Sequence, residues 1–311
     1  MDKNSKIYIT GHNGMLGSAL LNELELKGYT NVIKIDSTHL DLRKQIDVID
    51  FIESIKPTFV IHTAARVGGI QANISNPVSF LSDNISMNFN LIDACVKTKV
   101  KNFIFLGSSC MYPKDYQNPL KEEYILKAPL EATNEGYALS KITGAKFCEY
   151  VHDQYSWNYK TIIPCNLFGE KDHFDPNRSH LVAAVINKLY EAKQKGEKEV
   201  TIWGDGTARR EFLYVKDLVR FISNNIDRLD NLPKYINVGY GEDFSVNEYY
   251  EMIADLIGYE GSFNHDFSKP TGMKYKLMDS SKAFGLGWKP NFSIIEGLFN
   301  TLKFYRNEVR K

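Results

Sequence analysis

The stretch KIYITGHNGMLGSALLNELELKG, residues 6–28, decides the fold of this chain. It opens with a strand pattern, and Gly11, Gly14 and Gly17 then precede an amphipathic helical pattern that runs to about Lys27. Glycines between a strand and a helix allow a tight turn and let backbone N–H groups approach a pyrophosphate at the positive end of the helix. This GxxGxxG spacing predicts a dinucleotide site, and the alternative is an ordinary glycine-rich turn.

Strand and helix patterns alternate through the first half of the chain. Strands are predicted at 6–10, 31–35, 59–62, 102–107 and 160–164, and helices follow at 45–55, 84–98 and 136–153. Because helices separate the strands, the pattern predicts βαβ units and an α/β fold, a Rossmann-type doubly wound parallel sheet. Ligands of such sheets bind at the carboxyl ends of the strands.

The alternation weakens after about residue 165. Helices are predicted near 180–195, 217–228, 245–257 and 293–308, with short strands near 199–203 and 235–238. We therefore expect a dinucleotide-binding Rossmann domain over residues 1–165, to which later segments return, and a smaller α/β substrate lobe over residues 166–311.

Composition and charge argue against several classes of protein. Lysine plus arginine and aspartate plus glutamate both total 38, so the zero net charge gives no case for binding nucleic acid or an anionic membrane. The apolar runs are too short for a signal peptide or a membrane helix. Since the four cysteines lack CxxC spacing, we expect no disulfide framework and no metal site, and we expect a reducing cytoplasmic location.

Asp36, at the end of the second predicted strand, bears on the choice of dinucleotide. A carboxylate there can hydrogen-bond an adenosine ribose hydroxyl and repels a 2′-phosphate, which favours NAD(H) over NADP(H). Asn13 and Ser37 supply no positive charge, although Lys34 and Arg43 are near in sequence. These residues leave both cofactors open.

Tyr137 and Lys141 form a Y-x-x-x-K pattern on a predicted helix, so their side chains share one face. We expect the ammonium to lower the pKa of the phenol from about 10 toward neutrality, as a general acid or base requires. Ser108 or Ser109, just after the strand at 102–107, can hydrogen-bond a substrate oxygen. Together with the early glycines, these residues predict one oxidoreductase site.

Several longer blocks resemble the GDP-L-fucose synthase family, a branch of the extended short-chain dehydrogenases and reductases. They are RVGGIQAN (66–73), GSSCMYPK (107–114), EATNEGYALSK (131–141), PCNLFGE (164–170), NRSH (177–180), WGDGTARREFLYVKD (203–217) and SKPTGMKYKLMD (268–279). The resemblance therefore extends over nearly the whole chain.

The resemblance implies two reactions at one site. Epimerisation at C3 and C5 of GDP-4-keto-6-deoxy-D-mannose precedes NADPH-dependent reduction of the C4 ketone. Ser108, Tyr137 and Lys141 match the residues of the reduction, and Cys110 and His180 match the acid–base pair of the epimerisation. Considered alone, Cys110 could also be a small buried filler and His180 a surface residue at a helix start.

The resemblance also assigns binding residues and a homodimer formed through paired helices around Tyr137. It implies cofactor contacts from Gly11, Gly14, Gly17, Asp36, Ala64, Tyr137, Lys141, Pro164 and Asn166, and substrate contacts from Ser109, Asn166, Lys188, Trp203, Arg210 and Lys276. Two departures stand out, because Asn13 and Tyr275 occupy positions where family members carry arginine. Another GDP-4-keto sugar, such as a 6-deoxyheptose, therefore remains an alternative substrate.

Overall fold

Short strands and longer helices alternate along the chain. The computed structural model describes residues 2–175, 179–269 and 272–310. The strands are β1 (Ile7–Thr10), β2 (Val32–Ile33), β3 (Phe59–His62), β4 (Asn102–Leu106), β5 (Asn158–Pro164), β6 (Asn166–Phe168), β7 (Glu199–Trp203), β8 (Arg209–Arg210), β9 (Phe212–Tyr214), β10 (Tyr235–Val238), β11 (Phe244–Ser245) and β12 (Ser262–Asp266). The helices are α1 (Met15–Leu26), α2 (Gln45–Ile55), α3 (Ile70–Ser75), α4 (Pro77–Lys97), α5 (Glu135–Tyr155), α6 (Leu181–Lys195), α7 (Val215–Asn225), α8 (Val246–Ile257), α9 (Ser281–Gly285) and α10 (Ile294–Phe304).

Six strands pair in parallel in the order β10, β5, β4, β3, β1, β2. Every residue of β1 and β3 is buried, as expected of parallel strands that are covered on both faces by helices. The order reverses beside β1, which places the glycine turn at the switch point where such sheets bind ligands. The predicted Rossmann-type doubly wound fold is confirmed.

The later segments form smaller sheets and a second hydrophobic cluster. Strands β6 and β9 pair in parallel, as do β7 and β12, whereas β8 and β11 are antiparallel. The second cluster packs apolar side chains of α6, α8 and α10 against these strands. Strand β10 instead joins β5 in the main sheet, and α7 packs on α1, so later residues contribute to both cores. The division at residue 165 stays a prediction.

Several element boundaries differ from those predicted. Strand β2 covers only two of the residues at 31–35, and helix α4 starts at Pro77 rather than near residue 84, because proline suits the first turn of a helix. Helix α10 ends at Phe304 and continues as a π-helical turn over Tyr305–Val309. Helix α3 and strands β6, β8, β9, β11 and β12 were not predicted, because most are too short to show a clear hydrophobic period.

The four cysteines are free thiols, and Cys95, Cys148 and Cys165 are buried. These three side chains belong to the main hydrophobic core. Over the described ranges, no helix combines the length and apolar character needed to span a bilayer.

Candidate active site

A cleft of about 1300 Å³ opens at the carboxyl ends of the main-sheet strands. Its walls come from the glycine turn after β1, the loops after β2, β3 and β4, helix α5, and the second group of strands and helices. A pocket of this volume exceeds the usual range for one small ligand, which gives room for a dinucleotide and a second molecule together.

The glycine turn is packed too tightly for side chains. Gly11 has a φ of +67°, and a Cβ there would lie 2.8 Å from the Cα of Ala64. A Cβ on Gly17 would lie 2.2 Å from the carbonyl oxygen of Gly11. Helix α1 begins after Gly14 without a side-chain cap, so its first N–H groups can bind a pyrophosphate. The geometry fits the predicted dinucleotide site.

Asp36 forms a polar group with the glycine turn, which we call the Asp36 corner (His12, Asn13 and Asp36). Asn13 Nδ2 donates a hydrogen bond to Asp36 Oδ1, and His12 Nε2 lies 3.4 Å from the same oxygen. His12 Nδ1 is buried and has no hydrogen-bond partner within the described ranges, which fits a polar ligand in the cleft. His12 is not among the site residues predicted from the sequence, and only its place in the glycine turn could have indicated such a role.

Ser108, Tyr137 and Lys141 meet at the carboxyl end of β4, and we call them the Tyr137 centre. Ser108 follows β4, and Tyr137 and Lys141 lie one turn apart on α5. Lys141 is 2% exposed, and its Nζ donates a 2.8 Å hydrogen bond to the Leu106 carbonyl. The same Nζ lies 5.9 Å from the centroid of the Tyr137 ring. Packing against β4 therefore fixes the ammonium beside the phenol.

The protonation of the Tyr137 centre differs from the sequence prediction. Burial raises the pKa of Tyr137 well above 10, the charge of Cys110 adds to the rise, and a hydrogen bond with Ser108 opposes it. Burial lowers the pKa of Lys141 to about 8, with Cys110 opposing the change. The expected lowering of the Tyr137 pKa is wrong for the chain alone, because desolvation dominates and the hydrogen bond with Ser108 opposes it only in part. The phenol is thus protonated at neutral pH and suited to donating a proton.

Cys110 sits at a second group of reactive side chains, the Cys110 centre (Cys110, Asn134, His180 and Lys276). The thiol is half-buried and lines the cleft, unlike the three core cysteines. Asn134 Nδ2 donates to Cys110 Sγ at 3.2 Å, and Lys276 Nζ lies 3.8 Å from the same sulfur. Both donors therefore contact a sulfur that faces the cleft.

His180 faces the cleft as the residue that precedes α6. The surrounding cleft walls lower the pKa of His180 below its usual value by removing water, and the charges of His173 and Lys276 lower it further. Two residues of the NRSH block, 177 and 178, lie outside the described residues, whereas Ser179 and His180 are described.

The residues predicted for the far end of the substrate also line the cleft, namely Asn166, Lys188, Trp203, Arg210 and Lys276. Lys188 Nζ donates to the Thr201 carbonyl, and Arg210 Nη1 donates to the Arg209 carbonyl at 2.8 Å. Burial lowers the pKa of Arg210, which places a desolvated guanidinium at the cleft. Trp203 is 50% exposed and leaves a ring face accessible.

Of the predicted substrate residues, Ser109 lies away from the cleft, whereas Lys276 lines it. Ser109 is 2% exposed and does not line the cleft, because the 3₁₀ turn Ser109–Met111 directs neighbouring side chains in different directions. Lys276 contacts the thiol of Cys110. Sequence reasoning missed Asn134, whose signal was its position within the block 131–141, three residues before Tyr137.

Ala64 and Pro164, which the sequence predicts to contact the cofactor, line the same cleft as the glycine turn. Residues 7–239 match the NAD dependent epimerase/dehydratase family. The chain belongs to this family. Among the described residues of this family member, no group of three or more His, Cys, Asp or Glu side chains is placed to hold a metal ion.

Three proteins similar to this family member are named for GDP-linked sugars. GDP-L-colitose synthase of Yersinia pseudotuberculosis is 46% identical, covering 97% of this chain and 98% of its own. GDP-L-fucose synthase of Azorhizobium caulinodans is 45% identical, covering 99% of both chains. The structure of GDP-mannoheptose C4 reductase from Campylobacter jejuni with NADP bound is 33% identical, with a TM-score of 0.90 over 99% of this chain and 100% of that one.

Proposed function

We propose that this chain is a bifunctional enzyme that converts GDP-4-keto-6-deoxy-D-mannose to GDP-L-fucose by 3,5-epimerisation and NAD(P)H-dependent reduction of the C4 ketone. The observation that carries the proposal is one cleft that joins the Tyr137 centre and the Cys110 centre beside the glycine turn. Full-length similarity to a GDP-L-fucose synthase supports the same reaction. By family resemblance the cofactor is NADP(H), which an NADP-bound relative of similar fold supports, and Asp36 with Asn13 also makes NAD(H) a candidate.

The Tyr137 centre supplies the proton in the reduction. A bound nicotinamide supplies the hydride to C4 of the sugar. Tyr137 Oη donates its proton to the developing C4 alkoxide, and the Ser108 hydroxyl hydrogen-bonds the same oxygen. The raised pKa keeps the phenol protonated before the reaction, and the nearby Lys141 ammonium stabilises the phenolate after it.

The Cys110 centre carries out the epimerisation. Protons on carbons next to a ketone are acidic because the resulting carbanion delocalises into an enolate. The Cys110 thiolate removes such a proton and becomes a neutral thiol, and protonated His180 gives its own proton to the opposite face and becomes the neutral imidazole, the form that its lowered pKa favours. Asn134 and Lys276 stabilise the thiolate that begins the cycle.

A direct test supplies GDP-4-keto-6-deoxy-D-mannose with NADPH or NADH in deuterated water. We expect oxidation of the cofactor, GDP-L-fucose as the product in NMR spectra, and deuterium at C3 and C5. If neither cofactor is oxidised, the reductase proposal is wrong, and if no deuterium enters, the epimerase proposal is wrong.

A second candidate is the reduction or epimerisation of another GDP-4-keto sugar, such as a 6-deoxyheptose. The observation that favours it is the close structural similarity to a GDP-mannoheptose C4 reductase, together with Tyr275, which precedes the cleft residue Lys276 in the chain. Comparing kcat/KM for the two sugars at one cofactor concentration decides between them, because the preferred sugar must have the higher value.

A homodimer would cover two adjacent apolar faces. Val78 and Phe89 on α4 are exposed and lie eleven residues apart, as do Leu139 and Tyr150 on α5, so each pair shares a helix face. The two helices pack together through Phe89 and Phe147. Light scattering should give twice the chain mass, and Tyr150→Glu should shift it to the monomer.

Two organisational proposals accompany this function. Residues 1–165 hold the dinucleotide, and residues 166–311 mainly hold the GDP-sugar, because Lys188, Trp203 and Arg210 all follow the glycine and tyrosine motifs in the chain. The four free thiols suit a reducing compartment, which supports a cytoplasmic location.

A further inference from the structure

We infer that the Asp36 corner selects a ribose without a 2′-phosphate, so that this chain binds NADH at least as tightly as NADPH. The inference rests on the proposed dinucleotide-dependent function and concerns which dinucleotide the cleft prefers. It starts from the side chain at the end of β2, where a Rossmann-type fold meets the adenosine ribose.

The carboxylate of Asp36 is held in place and still accessible. Asn13 and His12 both contact Oδ1, and the side chain is 49% exposed at the cleft. Oδ2 therefore remains available to accept hydrogen bonds from ribose hydroxyls. Since both partners come from the glycine turn, the carboxylate keeps a fixed position relative to the pyrophosphate site.

The nearby arginines are already paired with carboxylates. Arg43 donates to Asp41 from Nε at 2.9 Å and from Nη2 at 2.8 Å, and its Nη1 lies 3.3 Å from Asp83. Arg66 Nη1 pairs with the other oxygen of Asp83 at 2.9 Å. All four side chains line the cleft, whereas Lys34 is exposed and lies outside its lining.

Charge balance at this end of the cleft disfavours a phosphate. Three carboxylates, Asp36, Asp41 and Asp83, face two guanidinium groups, those of Arg43 and Arg66. A 2′-phosphate would add a charge of about −1.5 to −2 beside Asp36. If Arg43 bound that phosphate, it would lose its hydrogen bonds to Asp41 and Asp83. The existing ion pairs therefore oppose the binding of a 2′-phosphate.

The test measures binding by calorimetry, with the full chain titrated separately with NADH and NADPH and no sugar present. We expect an NADPH Kd equal to or above the NADH Kd. A lower Kd for NADPH overturns the inference and leaves the proposed reaction intact. If neither dinucleotide binds, both the inference and the proposed function fail, so the two outcomes are distinguishable.

Variants then locate the preference at Asp36. Asp36→Asn keeps the side-chain shape but loses the charge, so the NADH Kd should rise about tenfold while the NADPH Kd stays or falls. Asp50→Asn is the control, because Asp50 is an exposed carboxylate on α2 outside the cleft lining, and it should change neither Kd. Equal changes in both Kd values for Asp36→Asn would contradict a role in selection.

A variant that binds NADPH more tightly provides an independent check, because its effect cannot come from a loss of structure at the site. Asn13→Arg places a guanidinium in the glycine turn and removes a hydrogen bond to Asp36. We expect the NADPH Kd to fall about tenfold relative to the NADH Kd. Thermal melting should show that the variant is folded, and an unchanged ratio of the two Kd values would contradict the inference.

Discussion

The Tyr137 centre and the Cys110 centre share one cleft but are built in different ways. Ser108, Tyr137 and Lys141 come from the end of one strand and one face of α5, and a hydrogen bond from Lys141 to Leu106 ties helix to strand. Cys110 instead contacts Asn134 and, from the loop after β12, Lys276, and His180 before α6 lines the same cleft. The first centre is thus set by regular secondary structure, and the second by loops that converge from distant parts of the chain. Variants should therefore affect the two reactions separately.

The largest difference between the effects on reduction and on epimerisation is expected for Tyr137→Phe. The ring keeps its packing but loses the acidic hydroxyl, so hydride transfer should fall by about a thousandfold. Deuterium entry at C3 and C5 should continue, because it needs only the Cys110 centre. Cofactor oxidation is followed by absorbance and deuterium by NMR. Tyr155→Phe, on the same helix but outside the cleft lining, is the control and should retain both activities.

Cys110→Ser should give the opposite pattern, with deuterium entry reduced by about a hundredfold or more because a serine hydroxyl is far harder to deprotonate than a thiol. Reduction of a GDP-4-keto sugar that already has the product configuration should persist. Such a sugar supplied with cofactor separates the two steps. Deuterium entry at the wild-type rate would show that another group is the base.

Lys276→Met should have a smaller effect on epimerisation than Cys110→Ser. The size of this effect measures how much the loop after β12 stabilises the Cys110 thiolate. Losing an ammonium 3.8 Å from Cys110 Sγ should slow deuterium entry by about tenfold. It should also raise the pKa of His180, since Lys276 contributes to lowering it. Lys274→Met changes an exposed neighbour outside the cleft and is the matched control. A fall in hydride transfer alone would instead place Lys276 with the reduction.

The sequence predicted more of the Tyr137 centre than of the Cys110 centre. The glycine turn, Asp36 and the pair on α5 follow from strand–helix alternation, because the carboxyl ends of parallel strands meet at one edge. The contact of Lys276 with Cys110 could not be read from spacing, since it joins residues whose separation in the chain carries no periodic signal. The raised pKa of Tyr137 was also missed, because desolvation depends on packing that appears only in the folded chain.

The smallest predicted effect concerns the pH dependence of hydride transfer. The pKa of Lys141 is about 8, so the ammonium is mostly present at pH 7 and is lost as the pH rises. If the ammonium is needed beside Tyr137, kcat/KM for reduction should fall about threefold between about pH 7 and about pH 8.3. A flat profile over this interval would show that the charge of Lys141 does not contribute.

The same profile shows whether the two centres are electrostatically independent. Negative charge at Cys110 favours the Lys141 ammonium and so opposes the lowering of its pKa by burial. Cys110→Ser removes that charge, and the alkaline fall in reduction should therefore move to lower pH, although Cys110 takes no part in hydride transfer. An unmoved profile would mean that the centres act separately. A shift would mean that the thiolate which serves epimerisation also keeps the reduction site charged, and that the shared cleft links the two reactions through Lys141.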